Sequence, residues 1–297
     1  MPTLDSDQLE AFAAVAVEGG FTRGAKRVGV TQSAVSQRVR KLEETLSVTL
    51  LVRHRDHVQL TREGEALLRY TRAREGLEAE MLRGIQQRDV AVGEHVGVLR
   101  VAAFSSVTRS ILLPAMSSLL AQNPAVTVHA FARELHELPR VFRSGEADFI
   151  ITDRPLVEAG VESIHLGEEQ NVLVEAHRKS PNRILDHDPD DTITDRFARL
   201  NKLAFEHVPR SYLDDIYGIL DGVLLGWGRA VVSAHLVPGT PGLRIVAGHK
   251  PLKTSVYLHT RAARYRTRLE QAAMDAIQEE FARVLGGKAR AKKHSFR

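Results

Sequence analysis

The sequence predicts a multidomain chain of mixed α+β and α/β class, with an N-terminal winged helix-turn-helix, a long linker helix and a C-terminal α/β domain. Three observations carry that reading. The stretch from Phe21 to Leu46 divides into a short apolar-periodic piece, a glycine break and a longer periodic piece. Leu67, Tyr70, Ala73, Leu77, Met81 and Ile85 then recur at helical spacing along one face. After Gly97 the pattern changes to strand, helix, strand, helix, strand, the grammar of a parallel α/β sheet.

In the N-terminal region, Leu9, Phe12, Ala13 and Ala16 form the apolar face of a first helix. Ala25 and Val28 share a face of a second, and Gly29-Val30 breaks it. Thr31 stands where an N-cap belongs, because its hydroxyl can accept a backbone N–H freed at the start of the next helix. Val35, Val39, Leu42 and Leu46 give that helix a buried stripe, and its other face carries Gln32, Ser33, Ser36, Gln37, Arg40 and Lys41. A recognition helix in the major groove needs this arrangement: small polar side chains at its start against base edges, and cations further along on phosphates. By itself the pattern also fits an ordinary helical hairpin with a solvated face.

The neighbouring segments favour nucleic acid. Leu50-Leu51-Val52 and Val58-Gln59-Leu60 flank a charged tip, Arg53-His54-Arg55-Asp56-His57, and read as a β-wing that places Arg53 and Arg55 to reach a DNA backbone or a minor groove. Between Gly20 and Leu60 stand eight Lys/Arg against three Asp/Glu. The whole chain of 297 residues has a net charge of +4 and no cysteine, which excludes disulfides, thiolate nucleophiles and Cys-ligated metals. Its acidic, polar start, MPTLDSDQLE, does not suit a signal peptide, and no apolar run approaches the ~18 residues of a bilayer span. A cytoplasmic location is the expectation.

From residue 5 to about 68 the chain resembles the winged helix-turn-helix of LysR-type transcriptional regulators. The resemblance rests on Phe21, Ala25, the run Val30-Thr31-Gln32-Ser33-Ala34-Val35-Ser36, Leu42-Glu43, Leu46, Leu50, Arg53, Leu60-Thr61 before Gly64, and Leu67-Leu68. Gly24, Ser47 and Leu51 depart from the alanine, glycine and phenylalanine usual at those places. Gly24 inside a helix is expected to cost up to ~1 kcal/mol relative to alanine.

Thr61 is expected to cap a helix running to about residue 87. Its apolar stripe suits packing against a second copy of itself, giving a homodimer or homotetramer that reads two half-sites; docking on the chain's own domains is the alternative. Gly84 and residues 88–93 mark a hinge. Further on, strands are expected at 98–103, 126–131, 147–152, 170–176, 229–233 and 254–259, and helices near 109–121, 135–144, 212–224 and 264–285. Leu112-Leu113-Pro114, Asn123-Pro124 before Val126, Phe142 with Gly145 and Ala147-Asp148, and Gly226-Trp227-Gly228 resemble the effector domain of the same family. That resemblance implies the two-lobed fold of periplasmic binding proteins, with a small-molecule effector between the lobes. The implied division is 1–61 for the DNA-binding domain, 62–92 for the linker and 93–286 for the effector domain. Within the last, lobe I takes 95–166 plus 258–285 and lobe II takes 167–257, leaving a basic tail at 287–297.

Ser105, Ser106 and Thr108 follow a strand and open a helix, where hydroxyls and free N–H groups suit a carboxylate or phosphate, though the same residues also serve as simple caps. Phe131, Thr152, Asp153 and Ser211 end strands expected to face the cleft. Leu50-Leu51-Val52-Arg53, Asp190-Asp191 before Phe197, His207-Val208-Pro209 and the Gly226 run are most similar to the branch that controls export of basic amino acids. The implied effector is lysine or arginine, paired through Asp153, or else a small carboxylate. Arg210 runs against that branch by placing a cation near a cationic ligand. The acidic run Asp186–Asp191 reads as a solvated loop and helix start, so no metal and no cofactor are expected. No Gly-Xaa-Ser-Xaa-Gly, P-loop or His-Glu-Xaa-Xaa-His motif is present, which disfavours an enzyme. A solute-binding protein of periplasmic type is disfavoured by the absent signal peptide and the helix-turn-helix.

Overall fold

The computed structural model describes residues 3–86, 95–177, 181–262 and 266–286. Three helices, α1 (Ser6–Glu18), α2 (Phe21–Val28) and α3 (Gln32–Leu46), precede a hairpin of β1 (Leu51–Arg53) and β2 (Val58–Leu60). Each helix begins and ends for a local reason. The Asp5 carboxylate accepts from the Gln8 N–H at 3.0 Å, and the Thr31 hydroxyl accepts from the Ala34 N–H at 3.2 Å. Gly19 and Gly29 close α1 and α2 in the left-handed region, at φ of 64° and 74°. Leu9, Phe12, Val15, Val35, Val39, Leu42 and Leu50 are buried together in one core. Glu43 ties α3 to the wing, accepting from the Leu50 and Leu51 N–H groups at 2.7 and 3.3 Å.

Gly24 reverses the expectation drawn from helix propensity. A β-carbon there would lie 2.9 Å from the backbone and side chain of Val15, so the glycine is what lets α2 cross α1 closely. Ser47 closes α3 with φ of 54°, a conformation that a side chain disfavours.

The long helix α4 (Arg62–Gln86) starts beneath the Thr61 hydroxyl, which accepts from the Gly64 N–H at 3.0 Å. Leu67 and Leu68 are buried in the head. Beyond them Tyr70, Leu77, Met81 and Ile85 are about half exposed or more, so the apolar stripe is not spent on the chain's own domains. Residues 88–93, read from the sequence as a hinge, and the basic tail from Lys288 lie outside the described residues.

The remaining strands are β3 (Gly97–Ala103), β4 (Val126–Ala132), β5 (Phe149–Thr152), β6 (Val161–Ala176), β7 (Ile184–Asp186), β8 (Arg210–Tyr212), β9 (Arg229–Ser233), β10 (Leu243–Ile245) and β11 (Leu252–Arg261). They form one sheet in the order β4-β3-β5-β11-β6-β9-β7-β8, with β10 also on β6. The sheet is mixed rather than parallel. β3 runs parallel to β4 and β5, and β7 parallel to β8 and β9, but β6 and β11 cross between the two halves as an antiparallel pair. Their register breaks between Val256 and Tyr257, opposite Gly167, whose φ is 144°.

Each half is covered on both faces. In lobe I, α6 (Leu113–Gln122) and α10 (Arg268–Leu285) cover one face, where Leu269, Ala273, Ile277 and Phe281 of α10 are buried; α7 (Leu138–Arg143) covers the other. In lobe II, α9 (Ile216–Leu224) and α8 (Ile193–Asn201) take the two faces. The helix expected from 109 instead begins at Ser105, as α5 (Ser105–Val107), and passes through a π-helical turn (Thr108–Leu112) into α6. α7 starts only at Leu138, because Pro139 suits the first helical turn. α10 starts after Thr267, which forms a capping box with Glu270. β7, β8 and β10, three residues each, are too short to show a periodicity.

Two substitutions test this reading of the head. Gly24→Ala should lower stability by about 1–3 kcal/mol through overpacking, despite alanine's better propensity. Ser47→Gly should raise it by about 1 kcal/mol by relieving the left-handed serine. Urea unfolding of both variants checks the pair, and a stabilised Gly24→Ala would contradict the packing argument.

Candidate functional site

The outer face of α3 carries Gln32, Ser33 and Gln37 exposed, with Ser36 half-buried at its edge. Gln32 accepts from the Thr22 hydroxyl at 3.3 Å, so the helix start is steadied by α2. Arg53 turns back from the wing onto the head. Its guanidinium lies 3.9 Å above the Phe21 ring and donates to the Ser36 hydroxyl at 3.0 Å. Arg53 thus braces the wing against α2 and α3. Arg40 stands 81% exposed, paired with Glu44 one helical turn on at 3.0 Å. Arg55 is exposed at the wing tip, next to the stacked rings of His54 and His57.

The second site is the seam where the two lobes face each other. Ser105 and Ser106 open α5 at the end of β3, and among the described residues neither hydroxyl has an internal hydrogen-bond partner. The other expected residues are more occupied. The Thr108 hydroxyl donates to the Phe104 carbonyl at 3.1 Å. Thr152 is buried between the Arg154 carbonyl and His259 Nε2, both at 2.7 Å. Ser211 accepts from Arg183 at 2.7 Å, and Phe131 lies under the Arg133 guanidinium at 4.9 Å. Asp153 is paired with Arg154 at 3.0 Å, yet its charge still reaches Glu169 and helps hold that carboxyl protonated.

Several seam residues carry no sequence signal of their own. Ser110, on the π-helical turn of lobe I, donates to the Ser106 carbonyl and therefore accepts from His235 Nε2–H of lobe II at 2.9 Å. That fixes the His235 tautomer and leaves its Nδ1 an acceptor 3.6 Å from the Glu169 carboxylate. The approach is not an ion pair. Burial pushes His235 down to about 4 and Glu169 up to about 7, so near pH 6 both are neutral. Among the described residues, Glu169 Oε1, His235 Nδ1 and the Tyr217 hydroxyl are all buried without a hydrogen-bond partner. Arg109, beside Ser110, stacks on Tyr217 across the seam at 4.2 Å. Alternation along β6 and the positions of short turns decide these placements, and neither leaves a motif in the chain.

At the rim, His187 Nε2 of lobe II meets Glu134 of lobe I at 3.7 Å, and its Nδ1 meets Asp188 at 3.1 Å. Burial opposes the imidazolium, but the hydrogen bond to Asp188 and the field of Glu134 outweigh it and raise the pKa. One ligand atom each from Glu134, His187 and Asp214 falls within 4.8 Å of the others. Within the acidic run, Asp190 and Ile193 N–H groups donate to Asp188 and Asp191, as a loop and helix start require. Arg210 does not present a bare cation: it binds Asp186 at 2.8 Å and also Asp195.

Residues 6–65 match the bacterial regulatory helix-turn-helix protein of the LysR family, and residues 93–282 match the LysR substrate binding domain. The chain belongs to the LysR family of DNA-binding transcriptional regulators, with an effector-binding domain following its helix-turn-helix, and is not an enzyme. It is 33% identical over 130 residues to the regulatory protein NocR of Agrobacterium fabrum, a match spanning 42% of this chain and 41% of NocR. Its fold is similar to that of ArgP from Mycobacterium tuberculosis, with TM-score 0.73 and 21% identity over 94% of this chain and 98% of ArgP. It is also similar to full-length LysG from Corynebacterium glutamicum with bound effector Arg, with TM-score 0.71 and 18% identity over 95% and 99% of the two chains. No helix among the described residues is long and apolar enough to cross a membrane.

The raised pKa of Glu169 has a sign that can be measured. The unfolded carboxyl gives up its proton near 4.5 and the folded one near 7, so the native state binds more protons between those values. Stability is therefore highest below pH 4.5 as far as this group is concerned, and falls by about 3 kcal/mol as pH rises through 7. Glu169→Gln should remove that slope and be the more stable protein at pH 8. Urea unfolding at pH 6 and pH 8 reads the difference, and equal slopes in both proteins would contradict the assignment.

Proposed function

We propose that this regulator responds to a basic amino acid, arginine or lysine, bound at the seam between its lobes. The observation that carries the reading is the buried Glu169 carboxyl, with one oxygen unpartnered and Asp153 adding negative charge. A ligand ammonium or guanidinium would supply donors to Glu169 and to His235 Nδ1, and its charge would draw the proton off Glu169. The unpartnered hydroxyls of Ser105 and Ser106, with Arg109 close by, suit the ligand's carboxylate. Thr108, Phe131, Thr152 and Ser211 then shape the walls rather than bind. Arg210, neutralised by Asp186 and Asp195, does not oppose a cationic ligand. The bound arginine named for LysG supports the same chemistry. A small carboxylate held by Ser105, Ser106 and Arg109 alone is the second reading, favoured by those free hydroxyls.

On the DNA side, Gln32, Ser33, Ser36 and Gln37 read base edges, Arg40 and Arg55 anchor phosphates, and Arg53 holds the wing in position for them. The exposed stripe Tyr70, Leu77, Met81 and Ile85 pairs α4 with its twin, so that two heads face two half-sites. Ligand in the seam favours one lobe closure and thereby one spacing of the heads, which requires unequal affinity for the two states. The units proposed are 1–61, 62–92 and 93–286, with lobes divided at 166/167 and 257/258.

A thermal-shift series tests the effector. Arginine or lysine at a hundred times its dissociation constant should stabilise the protein by about 2.7 kcal/mol, and Glu169→Gln should abolish the response. Stabilisation by acetate or benzoate but by neither basic amino acid would favour the second reading. For the DNA face, Arg40→Ala should weaken all sequences alike and reduce the salt slope by about one unit. A change confined to sequence preference would move Arg40 from backbone to base contact.

A further inference from the structure

Where α4 passes lobe I, a cavity of about 160 Å³ is lined by five arginines: Arg69 and Arg72 from α4, Arg100 from β3, Arg261 at the end of β11, and Arg266 just before α10. Among the described residues two acids line it with them, and both are engaged. Asp148 accepts from the Arg100 N–H at 2.8 Å, with the Arg100 guanidinium 3.9 Å away. Glu270 accepts from the Thr267 N–H at 2.9 Å in the α10 capping box.

Three of the arginines are partly satisfied by the protein. Arg69 donates to the Arg143 carbonyl; Arg261 donates to the Phe142 carbonyl and lies over its ring; Arg266 reaches Glu162. What remains is unusual for a buried cation. Among the described residues, Nε and one terminal nitrogen of Arg72, and Nε of Arg266, are buried with no hydrogen-bond partner. Unpaired guanidinium donors out of water are costly, and here three of them, from two guanidinium groups on different segments, line one space. Gly145 helps to make that space: a β-carbon there would lie 2.9 Å from Arg69 Cγ and 3.7 Å from an Arg72 terminal nitrogen, and its φ of 75° suits glycine.

We propose that this cavity is a binding site for a compact oxyanion of the phosphate class, clamped between the linker helix and lobe I and separate from the seam between the lobes. A tetrahedral oxyanion presents acceptors in several directions, as forked guanidinium groups arriving from α4 and from the start of α10 require. The volume corresponds to about five waters, room for a phosphate with some of its hydration. Burial, then the nearby Arg100 cation, lower Arg72 to about 10, and an anion in the cavity would reverse the second effect. Because α4 and lobe I supply opposite walls, occupancy favours the arrangement in which they touch, and so couples anion binding to the placement of the DNA-binding head.

The test is calorimetric titration of the full-length protein with inorganic phosphate and with a sugar phosphate, at constant ionic strength in chloride. Saturable phosphate binding is expected, weakened about tenfold or more in Arg72→Gln and in Arg266→Gln, partly retained in Arg72→Lys, and unchanged in Glu169→Gln. Tighter binding of the sugar phosphate would assign the site to an esterified phosphate, and equal or weaker binding to the free ion. Without phosphate, Arg72→Gln should melt no lower than the parent protein, since it removes an unpaired buried cation, and it should lose the stabilisation that phosphate gives the parent. Absence of saturable binding, or binding indifferent to both substitutions, would overturn the proposal. So would an Arg72→Gln protein that loses only DNA affinity, which would give that guanidinium to the DNA backbone.

Discussion

The antiparallel pairing of β6 with β11 is the constraint on which the effector domain depends. Two strands running through both halves of one sheet carry the backbone ladder from lobe I into lobe II, so the lobes cannot separate without breaking hydrogen bonds. The ladder between them is irregular between Val256 and Tyr257, opposite Gly167. Glu169 lies two residues beyond that glycine on the same strand and is buried there. A carboxyl that burial pushes up to about 7 thus stands close to that irregularity. Ser110 and His235, bonded across the seam, and Arg109 on Tyr217 join the two lobes there.

The head obeys a different logic. Its stability comes from a small core and close helix crossings, and its outer face is left polar. Arg53 shows how the two are joined: one guanidinium covers Phe21, which belongs to the core, and donates to Ser36, at the edge of the outer face of α3. Packing and presentation of the recognition face are therefore coupled through a side chain that the wing supplies.

How much was legible in the sequence follows from the range of the forces involved. The head could be read closely because capping, glycine stops and helical stripes act over a few residues: Thr31, Gly29 and the Val35–Leu42 stripe each announce a local event. Gly24 was misjudged because its reason is the backbone of Val15, nine positions away, and not its own helix. In the α/β region the long elements were legible and the three-residue strands were not. The sheet reads as parallel from its strand–helix alternation, and only the long-range return of β11 onto β6 makes it mixed. The seam was the least legible part. Ser105 and Ser106 stand out in the sequence as candidates because they follow a strand and open a helix, but Glu169, His235 and Tyr217 meet only through pairings between distant segments. Asp153 was read as the direct partner of a ligand cation. Its own partner is Arg154, and its effect on the seam is a field felt by Glu169.

The central claim is that a ligand cation is recognised by a carboxyl that is protonated until the ligand arrives. Proton linkage measures this directly. Titrating arginine into the protein at pH 6 in buffers of different ionisation enthalpy should show release of up to one proton per ligand bound, and at pH 8.5 almost none, because Glu169 with a pKa of about 7 is already ionised there. Binding at pH 6 with no proton released would contradict the account and leave the cation, if the ligand carries one, to be met elsewhere.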